Sequence, residues 1–87
     1  MPHTICTERA TTTISDEAFH ELVRRIRAAG RDDVADELIE RHAFDASNKA
    51  FVFGVLDEWL DDVKFNVFQP MIGDLRYELD WDLGNRG

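Results

Sequence analysis

At 87 residues the chain is too short for two independent cores, so one domain is expected over residues 1–87. Charged residues make up 32% and the A, V, I, L, M, F, W, Y and C set 44%, a balance that argues against a disordered chain. The net charge of −8 disfavours direct contact with nucleic acid or an anionic membrane surface, since both need a cationic footprint.

The charge is unevenly placed. Residues 1–31 hold four acids and five bases, for +1, whereas residues 32–87 hold fourteen acids and five bases, for −9. The single Cys6 cannot close an intrachain bridge, so stability must come from packing, which suits a reducing, cytoplasmic setting. No apolar run approaches the ~18 residues of a membrane span, and Met1-Pro2-His3-Thr4 has neither the basic start nor the apolar stretch of a secretion signal.

The first fourteen residues admit two readings. Ile5, Thr7 and Thr11-Thr12-Thr13-Ile14 are β-branched and suit an extra edge strand, but a flexible tail fits equally. The first helix is expected from Asp16 to Ala29. Ser15 is its N-cap, Asp16 and Glu17 complement the positive end of the dipole, and Ile14 staples to Phe19 across the cap. Phe19, Leu22, Val23, Ile26 and Ala29 recur at helical spacing, and Gly30 supplies the stop. A second helix begins at Asp32 as its capping residue and places Val34, Ala35, Leu38, Ile39 and His42 on one side. With only Gly30-Arg31 between them, the two helices should form a hairpin.

After Phe44, Asp45 or Ser47 can cap a third helix whose stripe is Val52, Val55, Leu56, Trp59, Leu60 and Val63, widened by Phe51 and Phe53. Gly54 in its middle costs about 1 kcal/mol relative to alanine, which points to close approach by another element. From Val63 onward two arrangements compete. In the preferred one, Val63, Phe65 and Val67 form a strand, Gln69-Pro70-Met71-Ile72-Gly73 turns, and Asp74 to Leu83 returns as the partner, with charged and large apolar residues in strict alternation. In the other, the third helix runs on to Phe68 and Pro70 opens a short fourth helix that carries Met71, Leu75 and Leu79 inward. The strand is preferred because it gathers Leu75, Tyr77, Leu79, Trp81 and Leu83 on one side. The expected fold class is α+β, a three-helix core with a C-terminal β-hairpin, against an all-α four-helix alternative.

Two acidic sets are the candidate partner-binding residues. Asp57, Glu58, Asp61 and Asp62 fall one turn apart on the third helix, away from its apolar stripe. Asp74, Glu78, Asp80 and Asp82 would share the wet face of the last strand, opposed only by Arg76. Alternate strand residues lie about 6.6–7 Å apart, close to the interval between phosphates of one nucleic-acid strand, on the order of 6–7 Å. Such a row could imitate a phosphate backbone.

Neither set reads as a catalytic or metal site. The third helix lacks the inward Glu-x-x-His of a carboxylate di-metal site, and nothing indicates a cleft. His3, His20 and His42 do not form a ligand set, Cys6 lacks an electropositive setting, and Gly84-Asn85-Arg86-Gly87 is no phosphate loop. No cofactor is expected. Arg24, Arg25, Arg27 and Arg31 cluster at the end of the first helix, but Asp32, Asp33, Asp36, Glu37 and Glu40 follow, so the arginines are expected to pair with acids rather than with nucleic acid. No family motif is present: the Asp-Ser-Leu of acyl carrier proteins has only Gly73-Asp74-Leu75 as its nearest counterpart, and the Tyr-Tyr-Pro of helical immunity proteins is missing.

The functional expectation is a non-enzymatic acidic inhibitor that binds a basic, nucleic-acid-binding protein, in the manner of phage-encoded anti-CRISPR or anti-restriction proteins that act as nucleic-acid mimics. The alternatives are an immunity protein or antitoxin, and a structural subunit that dimerises through Phe51, Phe53, Phe65 and Phe68.

Overall fold

The computed structural model describes residues 2–8, 10–62 and 69–84, and the fold is α+β. An antiparallel pair, β1 (His3–Cys6) and β2 (Thr11–Ile14), precedes α1 (Asp16–Ala28), α2 (Asp32–Arg41), a single 3-10 turn (Ala46–Asn48), α3 (Lys49–Leu60) and α4 (Gln69–Asp82).

The sheet lies at the N-terminus. β-branched side chains favour the extended backbone there, and their alternation sets the register, which pairs Ile5 with Thr12 and His3 with Ile14. Ile5, Thr12 and Ile14 are buried, while Thr4, Thr11 and Thr13 face outward. Thr7 donates both its N–H and its hydroxyl to the Ala10 carbonyl, at 2.9 and 3.0 Å, across the turn. On its other edge β1 meets Ala43 in a parallel bridge, with the Cys6 N–H donating to the His42 carbonyl at 2.9 Å.

The Ser15 hydroxyl accepts from the Ala18 N–H at 3.1 Å and caps α1, whose Phe19, Leu22 and Ile26 are buried. Gly30, at φ 84°, ends the helix in a conformation that costs other residues more. Asp32 is the first residue of α2 and not its cap; Arg31 holds that place with no side-chain bond. Val34, Ala35 and Leu38 are fully buried, but Ile39, placed inward from sequence, is 44% exposed because it sits a further 100° or so around the helix from Leu38. Asp45 accepts from the Ser47 N–H at 3.1 Å and starts the 3-10 turn that leads into α3. Val52, Val55, Leu56 and Trp59 are buried; Val63 lies outside the described residues. Gly54 is exposed, with nothing within 4 Å of where a Cβ would stand, so no described part of the chain makes the close approach expected of it.

The larger correction concerns residues 74–83. Residues 74–82 belong to α4, so the second strand of the expected C-terminal hairpin does not form; its first strand, Val63 to Val67, lies outside the described residues. Pro70 falls in the first turn of α4, where a missing N–H leaves no helical bond unmade. Ile72, Leu75 and Leu79 are at most 1% exposed and join the core, whereas Tyr77 and Trp81 are 47% and 41% exposed. The stretch from Asp74 to Leu83 contains no β-branched residue, and its leucines, arginine and glutamate are good helix formers. α4 packs on α3 and on β2, α1 packs on α2 and α3, and one apolar cluster joins the sheet to all four of these helices. Among the described residues, no helix is long and apolar enough to cross a membrane.

Candidate functional site

The eight acids singled out from sequence divide into three groups. Asp82 is interior: its side chain is 1% exposed, its Oδ2 accepts from Lys49 Nζ at 2.8 Å and from the Glu8 N–H at 3.2 Å, and the Lys49 side chain is 9% exposed. This ion pair pins the C-terminal end of α4 to the start of α3 and to the hairpin turn, so Asp82 is unavailable to a partner. Asp62 and Asp57 form the second group. Asp62 takes a 3.1 Å bond from Arg25, which also donates to Glu21 at 2.7 Å and lies over the Trp59 ring. Asp57 is paired with Arg76, whose guanidinium lies 5.8 Å from the centre of the Phe53 ring.

Glu58, Asp61 and Asp74 are exposed, and Glu78 and Asp80 are half-buried. Asp74, Glu78, Asp80 and Asp82 do not form the expected row. At about 100° per residue, Asp74 and Glu78 lie one turn apart, Asp80 lies on the far side of Tyr77, and Asp82 turns inward. The phosphate-like spacing required a strand and is lost with it.

A different surface takes its place. Tyr77 and Trp81 are four residues apart and share the centre of the outer face of α4, with Asp80 and Gly73 to one side and Asp74 and Glu78 to the other. A shallow groove of about 240 Å³, lined by Phe53, Gly73, Arg76, Tyr77 and Asp80, continues this face onto α3. A second hollow of about 410 Å³ lies between α1 and α3, where Arg24 and Arg25 face Glu58 and Asp62. Its charges balance, so it favours neither sign of ligand. Phe51 and Phe53, expected as dimer contacts, are half-buried against the core, and Arg31 stacks over Phe51 at 5.1 Å; Phe65 and Phe68 lie outside the described residues.

The arginines at the end of α1 meet acids as expected. Arg27 pairs with Asp36 at 2.9 Å and Asp32 at 3.5 Å, and Arg31 with Asp33 at 3.1 Å. Hydrogen bonds from Arg24 hold the Glu21 carboxyl below its ordinary range against the opposing effect of burial, with Arg25 adding to the shift. Asp33 is lowered by its bond from Arg31, and Asp45 by the Ser47 hydroxyl and N–H.

No local pattern signals that His3, His20 and His42 gather around Phe19. His3 on β1 stacks on Phe19 with ring centres 3.9 Å apart, and the His42 ring stacks on the same phenylalanine at 5.5 Å. His3 Nε2 lies 2.7 Å from Asp16 Oδ1, which His20 approaches at 3.4 Å. Among the described residues, no group of three or more His, Cys, Asp or Glu has the arrangement of a metal site. Comparison with protein-family models, curated proteins and solved structures finds no match to the chain.

Proposed function

We propose that the protein is a non-enzymatic binding protein whose target is a basic, nucleic-acid-binding protein, and that it inhibits that target by covering the surface that would otherwise hold phosphates. Phage-encoded anti-restriction and anti-CRISPR proteins are the functional class that this chemistry fits. The observation that carries the reading is the outer face of α3 and α4. There the exposed pair Tyr77 and Trp81 is flanked along α4 by Asp80 on one side and by Asp74 and Glu78 on the other, with Phe53 of α3 lining the groove beside Tyr77. Aromatic side chains at the centre of a patch supply contact area at low entropic cost, and a charged rim sets encounter rate and partner choice.

The test uses the full chain immobilised and a nuclease-treated host lysate at low and at high salt. Capture of a basic protein that salt releases, and whose binding of freshly added nucleic acid is blocked by the free chain, supports the proposal. Capture that salt leaves unchanged, or a captured protein that binds added nucleic acid equally well with the chain present, refutes it.

A further inference from the structure

We propose that the outer face of α4 recognises arginine: Tyr77 and Trp81 take guanidinium groups of the partner against their rings, while Asp74, Glu78 and Asp80 accept their hydrogen bonds. This rests on the proposal that the face meets a basic protein, and it adds which basic side chain is selected. The chain's own arginines supply the pattern. Arg25, from α1, lies over the Trp59 ring at 5.1 Å and donates to Asp62, three residues further along, at 3.1 Å. Arg31, from the turn before α2, lies over Phe51 at 5.1 Å and donates to Asn48, three residues earlier, at 3.0 Å. Arg76, from α4, lies over Phe53 at 5.8 Å and pairs with Asp57, four residues later. In each case a ring on α3 has an oxygen acceptor one turn away, and the arginine comes from another part of the fold. Helical residues three or four apart are neighbours, so a planar cation laid on the ring meets the acceptor as well.

α4 repeats the pattern toward solvent. Tyr77 is 47% exposed, with Asp74 three residues before it and Asp80 three after; Trp81 is 41% exposed, with Glu78 three before. Tyr77 and Asp80 line the groove of about 240 Å³ together with Gly73, which has nothing within 4 Å of where a Cβ would stand, so there is room beside the ring. Arg76 is the cation of that groove, and its charge is met by Asp57 while its guanidinium lies over Phe53. The chemistry favours arginine over lysine. A guanidinium is planar, stacks on an aromatic ring and presents a fork of N–H groups to a carboxylate, whereas an ammonium is a compact and strongly hydrated point charge. Arginine also grips phosphates by the same fork, so covering it takes a contact away from nucleic acid. Long-range attraction is the same for two ligands of equal charge, so a preference between them reports on the rings and their acceptors.

The experiment titrates the full chain by calorimetry, at one salt concentration, with two peptides of equal length and charge. One alternates arginine with glycine and the other lysine with glycine. The wild-type chain should bind the arginine peptide tighter by about threefold or more, and the ratio should fall to about one in the double variant Tyr77→Ser, Trp81→Ser, which keeps every charge. In NMR spectra of the wild-type chain the arginine peptide should shift the indole N–H signal of Trp81 and leave that of Trp59, which is 2% exposed, in place. Equal affinity of the wild type for the two peptides, a preference that survives in the variant, or an unmoved Trp81 signal would overturn the proposal. None of these results alters the capture of a basic protein from lysate, on which the proposed function stands or falls. A dimer of the free wild-type chain in light scattering that the same double variant dissolves would assign the face to a second copy, and would overturn the proposal too.

Discussion

Replacing Asp82 by asparagine removes one charge from an ion pair whose side chains are 1% and 9% exposed, and leaves the Lys49 ammonium in the interior without its counter-charge. Asparagine keeps the shape and still accepts the Glu8 N–H, so packing changes little and the loss isolates the charge. Breaking a buried pair from one side costs about 3–5 kcal/mol, a large share of the roughly 5–15 kcal/mol that holds a typical domain. For a chain of this size each kcal/mol moves Tm by about 4–8 °C, so a fall of about 12 °C or more is expected. Lys49→Met with Asp82→Leu removes both charges and should recover to within about 2 kcal/mol of wild type, because neither ion then needs solvating in the interior. Urea unfolding followed by circular dichroism at 222 nm measures all three. An Asp82→Asn variant within about 0.5 kcal/mol of wild type would refute the reasoning, since that is the response of a solvent-facing residue.

Three further outcomes follow from the same geometry. Leu79→Ala should cost about 2–5 kcal/mol while Tyr77→Ser costs about 1 kcal/mol or less, whereas similar losses at both positions in urea titrations would mean that both side chains point into the core. Gly54→Ala should stabilise by about 1 kcal/mol, as a helical glycine with open space beside it permits; destabilisation would reveal a close neighbour. Glu21→Gln removes a carboxylate whose folded-state pKa is depressed, so the wild type's advantage should be full above pH ~4.5 and close as pH falls through the folded value. An advantage that persists unchanged to pH 2 in acid-unfolding curves would contradict that assignment.

The local signals in the sequence translated well into structure. The Ser15 cap, the Gly30 stop, the β-branched run before Ile14 and the arginine-acid pairs around Asp32 to Asp36 each depend on residues a few positions apart, and each is present. The last segment misled because Leu75 and Leu79 satisfy a period of two and a helical spacing of four at once. Ile72 and Asp82 break the tie, since Ile72, Leu75, Leu79 and Asp82 together follow a helical stripe. An acid on that stripe looks unacceptable until Lys49 is known to lie opposite, 33 residues away in sequence. The histidine cluster was hidden for a similar reason. His3 and His42 are 39 residues apart, and they meet because β1 adds its free edge to the chain just after α2, a pairing that no local pattern encodes.

The central claim is that partner binding belongs to the outer face of α3 and α4 and not to net charge alone. Two variants of equal charge change test it against the captured basic partner by titration calorimetry at fixed salt. One carries Asp74→Lys, Glu78→Lys and Asp80→Lys on the proposed face; the other carries Glu17→Lys, Asp36→Lys and Glu40→Lys at exposed positions on α1 and α2. The account predicts that the first weakens binding more than tenfold beyond the second. Equal losses in the two variants, or a greater loss in the second, would contradict it.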